Sequence, residues 1–191
     1  MHNTSIYLVR HGETDWNLER RYQGQKDIPL NATGIRQAQM AAQNLNGNSF
    51  TALYSSDLVR AVQTAQEISK KVNLPIVTNP ALREINQGVW EGQYIKDVLD
   101  SMGDKVRAVY ENPYTHRKPG GESIGEVAER MYAFLNQLAE KHNQETIIVV
   151  SHGLAIATVL CKVQNLPLEM AIRNIPVNAG IEIINWTKII P

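Results

Sequence analysis

Short apolar runs alternate along the chain with longer stretches whose apolar residues recur at helical spacing. The short runs have the length of buried strands and are bounded by polar or turn-forming residues. The run at 146–150 is continuously apolar, which predicts a strand that is buried on both faces. Five strands are predicted, at 5–9, 50–54, 74–77, 146–150 and 180–186.

Helix signals fill the intervals between these strands. Thr33 and Asp57 stand where the N-cap residues of two helices belong, and Gly47 is placed to end the first of them. Ser123 and Glu126 form a capping-box pattern ahead of a third amphipathic stretch. The remaining predicted segments are helices at 95–110 and 153–163 and an ordered loop at 13–32.

The alternation of strands and helices predicts an α/β fold with a mostly parallel central sheet and helices on both of its faces. A chain of 191 residues, 43% of them apolar, suits one domain with a full core. We therefore predict a single domain over 1–191. Glycines and prolines interrupt the pattern between 81 and 122, so the path of that region is predicted only for its one helix.

Charge and cysteine content narrow the classes of partner. Lys+Arg and Asp+Glu number 19 each, whereas nucleic acid and anionic membranes favour basic proteins. We therefore expect neither as a partner.

No signal peptide is recognised, and no apolar run approaches the roughly 20 residues of a membrane span. Cys161 is the only cysteine, which fits a reducing compartment. We expect a cytoplasmic protein in which Cys161 is a small buried side chain.

Arginine and histidine side chains follow three of the predicted strands. Arg10 and His11 come after the first, Arg60 lies in the first turn of the helix after the second, and His152 follows the fourth. In open α/β sheets, ligands bind beyond the carboxyl ends of the strands. These side chains therefore predict an anion site, to which a helix starting near Gly153 adds free backbone N–H groups.

Two arginines and two histidines suit a phosphoryl dianion, because the arginine fork matches phosphate oxygens. Binding alone does not require an imidazole directly after Arg10, whereas the ring nitrogen of His11 can act as a nucleophile and form a covalent intermediate. A leaving alkoxide then needs a proton and the attacking water must lose one, and a carboxyl group can do both in turn. Glu84 is our candidate for this group, and Glu13 is its competitor.

Six motifs occur in order along residues 6–155. They are LVRHGET at 8–14, YQG at 22–24, SSDLVRAVQTA at 55–65, LREI at 82–85 with GVWEG at 88–92, GGES at 120–123 and VSHG at 150–153. Together they resemble the signature of the histidine phosphatase superfamily, also called phosphoglycerate mutase-like. One such motif would be weak, but six in the expected order are specific.

This resemblance implies a three-layer α/β/α sandwich and roles for individual residues. His11 is implied to become phosphorylated, and Glu84 to donate and accept the proton. No metal or other cofactor is implied. The residues implied to contact the substrate are Arg10, Asn17, Gln23, Gly24, Arg60, Glu84, His152 and Gly153.

Within the family the chain is most similar to the short bacterial phosphatases. Glu84 and His152 are only 68 positions apart, and few residues follow the last predicted strand. The cofactor-dependent mutases carry extra segments in both places. We predict a metal-independent phosphatase that acts on a small phosphorylated metabolite, as a monomer or a homodimer. Residues 93–122 are interpreted as an insertion that covers the substrate.

Alternatives to this interpretation stay open on the sequence. A cofactor-dependent phosphoglycerate mutase and a non-catalytic phospho-ligand sensor would both keep these motifs. A metallohydrolase using His11, Glu13 and His152 is opposed by the two nearby arginines, which would repel the cation. The basic stretch 116–118 is either a lid that selects anionic substrates or a solvated loop.

Overall fold

The computed structural model describes residues 3–45, 47 and 49–187, so the ends of the predicted 1–191 domain lie outside the described residues. Strands and helices alternate along most of this length, as predicted. The strands are β1 (Asn3–Arg10), β2 (Ala52–Ser55), β3 (Ile76–Thr78), β4 (Thr146–Ser151) and β5 (Ile181–Thr187). The α-helices are α1 (Asp15–Leu18), α2 (Ala32–Asn44), α3 (Val59–Val72), α4 (Ile95–Glu111), α5 (Ile124–Lys141) and α6 (Gly153–Val163).

Among the described residues, the five strands form one sheet in the order β3-β2-β4-β1-β5. The central strand β4 pairs in parallel with β1 and β2, and β3 pairs in parallel with β2, whereas β5 runs antiparallel to β1. The predicted α/β class and mostly parallel sheet are confirmed. Arg10 is in register with Ser151, so β1 and β4 end at the same edge of the sheet.

Apolar side chains cover both faces of the sheet, because successive residues of a strand point to opposite sides. Ile147 and Val149 belong to a core shared with α4, α5 and α6. Ile148 and Val150 belong to a second core shared with α2 and α3. The result is a helix–sheet–helix sandwich. The apolar helix α6 is buried, including Cys161 as predicted, and no described helix is both long and apolar enough to cross a bilayer.

Helix α5 begins with the predicted capping box. The Ser123 hydroxyl accepts from the Glu126 N–H, and the Glu126 carboxylate accepts from the Ser123 N–H.

The prediction of Thr33 as an N-cap was wrong, because helix α2 begins earlier. Asn31 is its N-cap, and the side-chain oxygen of Asn31 accepts from the Gly34 N–H at 2.8 Å.

The prediction of Asp57 as the N-cap of α3 was also wrong. Its carboxylate lies in a bidentate pair with the Arg83 guanidinium, with N–O distances of 2.7 and 2.5 Å. Leu58 is the N-cap and makes no side-chain cap bond. The first helical N–H, that of Val59, instead donates to the Asp27 carboxylate at 2.6 Å. A residue more than thirty positions away in sequence therefore caps this helix.

Two irregular regions differ from the sequence-based picture. The predicted loop at 13–32 contains the short helix α1, whose N-cap Thr14 forms a capping box with Asn17. The helix predicted at 95–110 is present as α4, with non-helical backbone at Met102. The interpretation of 116–118 as a solvated loop was wrong for its last residue. His116 and Arg117 are exposed, but Lys118 is only 1% exposed.

Candidate active site

The parallel pairing of β1 with β4 brings the two predicted histidines together. His11 directly follows β1, and His152 lies between β4 and α6. Their ring centroids are 5.1 Å apart. Both side chains are buried, His11 with 3% and His152 with 0% of its surface exposed. The edge of the sheet therefore holds an imidazole pair where the sequence predicted an anion site.

The ring of His11 is fixed by its own backbone neighbour. Its Nδ1 lies 2.7 Å from the carbonyl oxygen of Gly12. Because a carbonyl can only accept, Nδ1 carries the proton and Nε2 is left with its lone pair. Burial, followed by the charges of Arg60 and Arg10, lowers the pKa of His11 well below its ordinary 6.5. The imidazole is therefore neutral at neutral pH and holds an unprotonated ring nitrogen.

Each of the two arginines forms hydrogen bonds within the protein through its Nη atoms and not through Nε. The Arg60 guanidinium is fully buried and donates to the carbonyl oxygens of Lys26 and Gly24, at 2.8 and 2.7 Å. Burial lowers the pKa of Arg60 to about 10, so it stays charged at neutral pH. Arg10 donates through Nη1 to the Pro176 carbonyl at 2.6 Å. Neither Nε atom has an acceptor among the described residues. Each arginine thus retains an N–H for a bound anion.

His152 has one bound and one unbound ring nitrogen. Its Nε2 lies 2.8 Å from the Ser56 hydroxyl oxygen, which also accepts from the Leu58 N–H at 3.3 Å. The Ser56 proton is then available to donate to Nε2, which places the ring proton on Nδ1. No described residue accepts from Nδ1. Burial, followed by the Arg60 charge, lowers the pKa of His152 well below 6.5. The ring is therefore a neutral donor with a free N–H.

Glu84 is held at the start of helix α6. One carboxylate oxygen accepts from the Leu154 N–H at 3.1 Å, and the other accepts from the Ala155 N–H at 3.2 Å and the Ile85 N–H at 2.9 Å. This placement sets the carboxylate against the positive end of the helix dipole. The prediction of free N–H groups at this helix end was wrong for Leu154 and Ala155, because Glu84 occupies them.

The competitor Glu13 has a different task. One of its carboxylate oxygens accepts from the Asn31 side chain at 3.0 Å, and its backbone N–H donates to the Gln37 side chain. Glu13 therefore supports the beginning of α2 and is absent from the lining of the cavity described next. Of the two carboxyl candidates, only Glu84 reaches the site.

A cavity of about 240 Å³ among the described residues joins the predicted groups. Eight of the nine predicted residues line it, and the ninth, His152, is fully buried and does not contribute to the lining. The lining includes Arg10, His11, Asn17, Gln23, Gly24, Arg60, Glu84 and Gly153. Gln23 is 8% exposed, and its side-chain oxygen has no donor in the part of the chain that is described.

Several lining residues were not predicted from the sequence. Six of the eight come from α4, from the segment before β5 and from the loop around 21–24, the other two come from position 87 and from the start of α6, and most are apolar or aromatic. Their side-chain types carry no chemical signal, and only the spatial arrangement identifies them. They are Arg21, Tyr22, Gln87, Ile95, Tyr110, Leu154, Ile172 and Ile175. The cavity therefore has a cationic floor and an apolar outer wall. The described residues contain no cluster of three or more His, Cys, Asp or Glu suited to a metal ion.

Comparison with known proteins places these features in a family. The family model of the histidine phosphatase superfamily (branch 1) matches residues 6–189. A probable phosphoglycerate mutase GpmB from Proteus mirabilis is 40% identical over 162 residues, which cover 85% of this chain and 75% of the relative.

Two solved structures are similar throughout. A mutant phosphoserine phosphatase from Entamoeba histolytica, in complex with phosphoserine, aligns with a TM-score of 0.81 and 31% identity over 94% of this chain and 89% of that one. A mycobacterial glucosyl-3-phosphoglycerate phosphatase in complex with VO3 aligns with a TM-score of 0.83 and 29% identity over 93% and 88%.

Proposed function

Because the chain belongs to the histidine phosphatase superfamily (branch 1), we propose that it hydrolyses small phosphate monoesters through a phosphohistidine on His11. The observation that carries this proposal is the state of the His11 ring. The Gly12 carbonyl holds the proton on Nδ1, so the neutral Nε2 is available for attack beside two arginines. Neither a metal nor another cofactor enters the proposed reaction.

The phosphoryl group of the substrate binds against the cationic floor. Arg10 and Arg60, which line the cavity, each hold an Nε–H without an acceptor among the described residues. His152 does not line the cavity, but its ring lies 5.1 Å from that of His11 and holds an Nδ1–H that likewise has no acceptor there. Donors aimed at the phosphoryl oxygens stabilise the charge that spreads over them during transfer. Asn17 and the backbone of Gly153, which also line the cavity, assist this binding.

In the first step, His11 Nε2 attacks phosphorus and a nitrogen–phosphorus bond forms as the ester oxygen–phosphorus bond breaks. The departing alkoxide takes a proton from the Glu84 carboxyl group, and the alcohol leaves. Glu84 lines the same cavity as His11, so both groups can reach one bound monoester. A neutral His11 is essential here, because a protonated ring would have no lone pair to donate.

In the second step, water attacks the phosphohistidine. Glu84, now ionised, accepts the water proton while the new oxygen–phosphorus bond forms and the nitrogen–phosphorus bond breaks. Inorganic phosphate leaves, His11 is regenerated and Glu84 is protonated again. The same carboxyl group therefore serves as acid and then as base.

The cavity wall favours hydrolysis over mutase chemistry. A mutase must retain a bisphosphate, which calls for cations beyond the first phosphoryl site. Of the lining residues, the third cation is Arg21, which is paired with Glu19 at 2.5 Å and lies 3.8 Å from the Tyr94 ring centroid. The rest of the outer wall includes Ile95, Ile172 and other apolar residues. This wall suits a monoester with one phosphoryl group.

A phosphoglycerate mutase remains the second candidate, because the Proteus mirabilis relative carries that name. The two candidates differ in the fate of the phosphoryl group. A hydrolase releases it to water without a primer, whereas a mutase returns it to the organic product and needs a bisphosphate to be primed.

The test is phosphate release from a panel of monoesters in excess chelator, with phosphoserine and 3-phosphoglycerate included. We expect release that survives chelation and is lost in His11→Ala. A primed mutase assay with 3-phosphoglycerate runs beside it. Wild-type release by His11→Ala would overturn the proposal, and so would loss of activity on chelation. Isomerisation without net release would establish the mutase, and tight binding without turnover would indicate a sensor.

A further inference from the structure

The segment that carries Glu84 has no regular secondary structure of its own. Residues 84–87 lie between two short 3₁₀ turns, Pro80–Leu82 and Gly88–Trp90, so the backbone groups of 84–86 belong to no strand or helix. Buried or half-buried carbonyls must then find donors elsewhere. How this segment is held decides where the proposed catalytic carboxyl group sits.

Arg130 of helix α5 donates to three carbonyls at 81–84, the last of which also accepts from Gln25 Nε2 at 3.1 Å. Its Nη1 donates to the carbonyl oxygens of Ala81 and Arg83, at 2.8 and 2.7 Å. Its Nη2 donates to the carbonyl oxygen of Glu84 itself, at 3.1 Å. One guanidinium thus binds three carbonyls in the segment that leads to the carboxyl group.

Glu122 completes the arrangement from the other side. Its carboxylate accepts from Arg130 Nε and Nη2, at 3.0 and 3.1 Å, and from the Asn86 N–H at 2.8 Å. Its own backbone N–H donates to the Asn86 carbonyl at 3.0 Å. Both charged side chains are 20% exposed. Arg130 and Glu122, called the clamp below, hold the chain on both sides of Glu84.

We infer that the clamp is a positioning device for Glu84, and that it acts on the proton-transfer steps rather than on phosphoryl binding. The inference rests on the proposed function. Neither clamp residue lines the cavity, so neither touches the substrate there. The clamp fixes the Glu84 backbone from α5, while the start of α6 fixes its carboxylate. A misplacement of about 1 Å at a catalytic group can cost about 100-fold in rate.

All five N–H donors of Arg130 are used in this arrangement. A lysine offers three donors around a single point and cannot reproduce the planar fork. Arg130→Lys therefore keeps the charge but loses most of the clamp. This makes charge and geometry separable by mutation.

The test uses the leaving group of the substrate. A 4-nitrophenolate leaves without a proton, whereas an alkoxide needs one from Glu84, so only the alkyl ester reports on the position of the acid. In Arg130→Met and Arg130→Lys we expect kcat/KM for an alkyl phosphate to fall about 100-fold. We expect kcat/KM for 4-nitrophenyl phosphate to fall less than about tenfold, because that parameter covers only the steps up to phosphohistidine formation.

Arg117→Met is the matched control, because Arg117 forms an exposed ion pair with Glu126 near the start of the same helix. It should leave both substrates at the wild-type rate. Glu122→Gln is the milder variant if Arg130→Met does not fold. Its amide oxygen still accepts from the Asn86 N–H. We therefore expect kcat/KM to fall more for the alkyl phosphate than for 4-nitrophenyl phosphate, but by a smaller factor than in Arg130→Met.

Equal losses on both esters, or no loss on either in the folded variants, would overturn the inference. Neither result would touch the proposed function. That proposal fails separately, if the wild type hydrolyses neither ester or if a His11→Ala variant hydrolyses them at the wild-type rate. The ratio of kcat/KM for the two esters tests the inference about the clamp, whereas hydrolysis by the wild type and by His11→Ala tests the proposed function.

Discussion

Replacing Lys118 with methionine should stabilise the protein at neutral pH. The Lys118 side chain is 1% exposed, and its ammonium has no hydrogen-bond acceptor among the described residues. Burial lowers the pKa of Lys118 from an ordinary 10.5 to about 8, against the opposing influence of Glu84 and Glu122. Methionine has a similar length and carries no charge, so it removes the buried cation without leaving a large cavity.

The size of the effect follows from this lowered pKa. One pKa step corresponds to about 1.4 kcal/mol, so the buried charge costs on the order of 3 kcal/mol. Nζ lies 5.9 Å from the Trp90 ring centroid and 5.5 Å from that of Tyr110. Attraction to these rings returns about 1 kcal/mol. The desolvation cost is the larger of the two effects, and we expect Lys118→Met to raise the free energy of unfolding by about 2 kcal/mol.

The stability difference between Lys118→Met and the wild type should depend on pH. Below about pH 8 the lysine is charged in both the folded and unfolded states, so the whole cost is present. Between about 8 and 10.5 the folded lysine is neutral while the unfolded one still binds a proton. The wild type therefore gains stability with rising pH across this window. The advantage of Lys118→Met should shrink there.

Urea unfolding at about pH 7 and about pH 10 measures the difference. Lys105→Met, at an exposed position of α4, is the control and should show no such pH dependence. A Lys118→Met protein that is less stable than the wild type at pH 7 would refute the reasoning. So would a difference that stays the same at pH 10.

Three further predictions concern the site itself. Arg60→Lys keeps the charge but not the fork that contacts two carbonyls, so kcat/KM should fall about 100-fold in the phosphatase assay; unchanged kcat/KM would contradict this. Because the pKa of His11 lies well below 6.5, the unfolded chain binds an extra proton in acid. Wild-type stability should fall below about pH 6.5, less steeply in His11→Asn, and equal urea titrations would refute this. A Cβ on Gly153 would lie 2.9 Å from Ile175 and 3.3 Å from Arg10 Nε. Gly153→Ala should raise KM for phosphate esters, and a wild-type KM would contradict the assigned contact.

The order of elements was predictable because each depends on local pattern. The continuous apolar run of β4 predicted a strand, and the paired signals at Ser123 and Glu126 predicted the start of α5. The meeting of His11 with His152 followed from one topological rule, that parallel strands end at the same edge of a sheet. These parts of the fold and site need no knowledge of distant contacts.

Two of the errors occurred where a distant partner overrides a local preference. Asp57 has the right residue type for an N-cap, but the Arg83 guanidinium binds its carboxylate, and Asp27 takes over the helix N–H. Glu84 likewise occupies the N–H groups at the start of α6 that the sequence left to the anion. A single sequence shows which residues can make these contacts but not which one does.

Burial of charged residues was equally hidden. Lys118 stands in a polar stretch next to two exposed residues, so its sequence environment suggests solvent. It is buried because the turn at 118–121 packs against the Gly88–Trp90 turn, with the Val89 N–H donating to the Pro119 carbonyl. Arg130 lies on a helix whose pattern says nothing of the carbonyls it binds. Both facts depend on tertiary contacts between irregular segments.

The most direct test of the account is to trap the covalent intermediate. The wild type is mixed with a labelled aryl phosphate, quenched at high pH within the first turnover, and its peptides are examined for a phosphoryl group. We expect the label on His11, with more of it in Glu84→Gln, where water attack lacks its base. His11→Ala should carry none. A label on another residue, or hydrolysis by His11→Ala at the wild-type rate, would contradict the account.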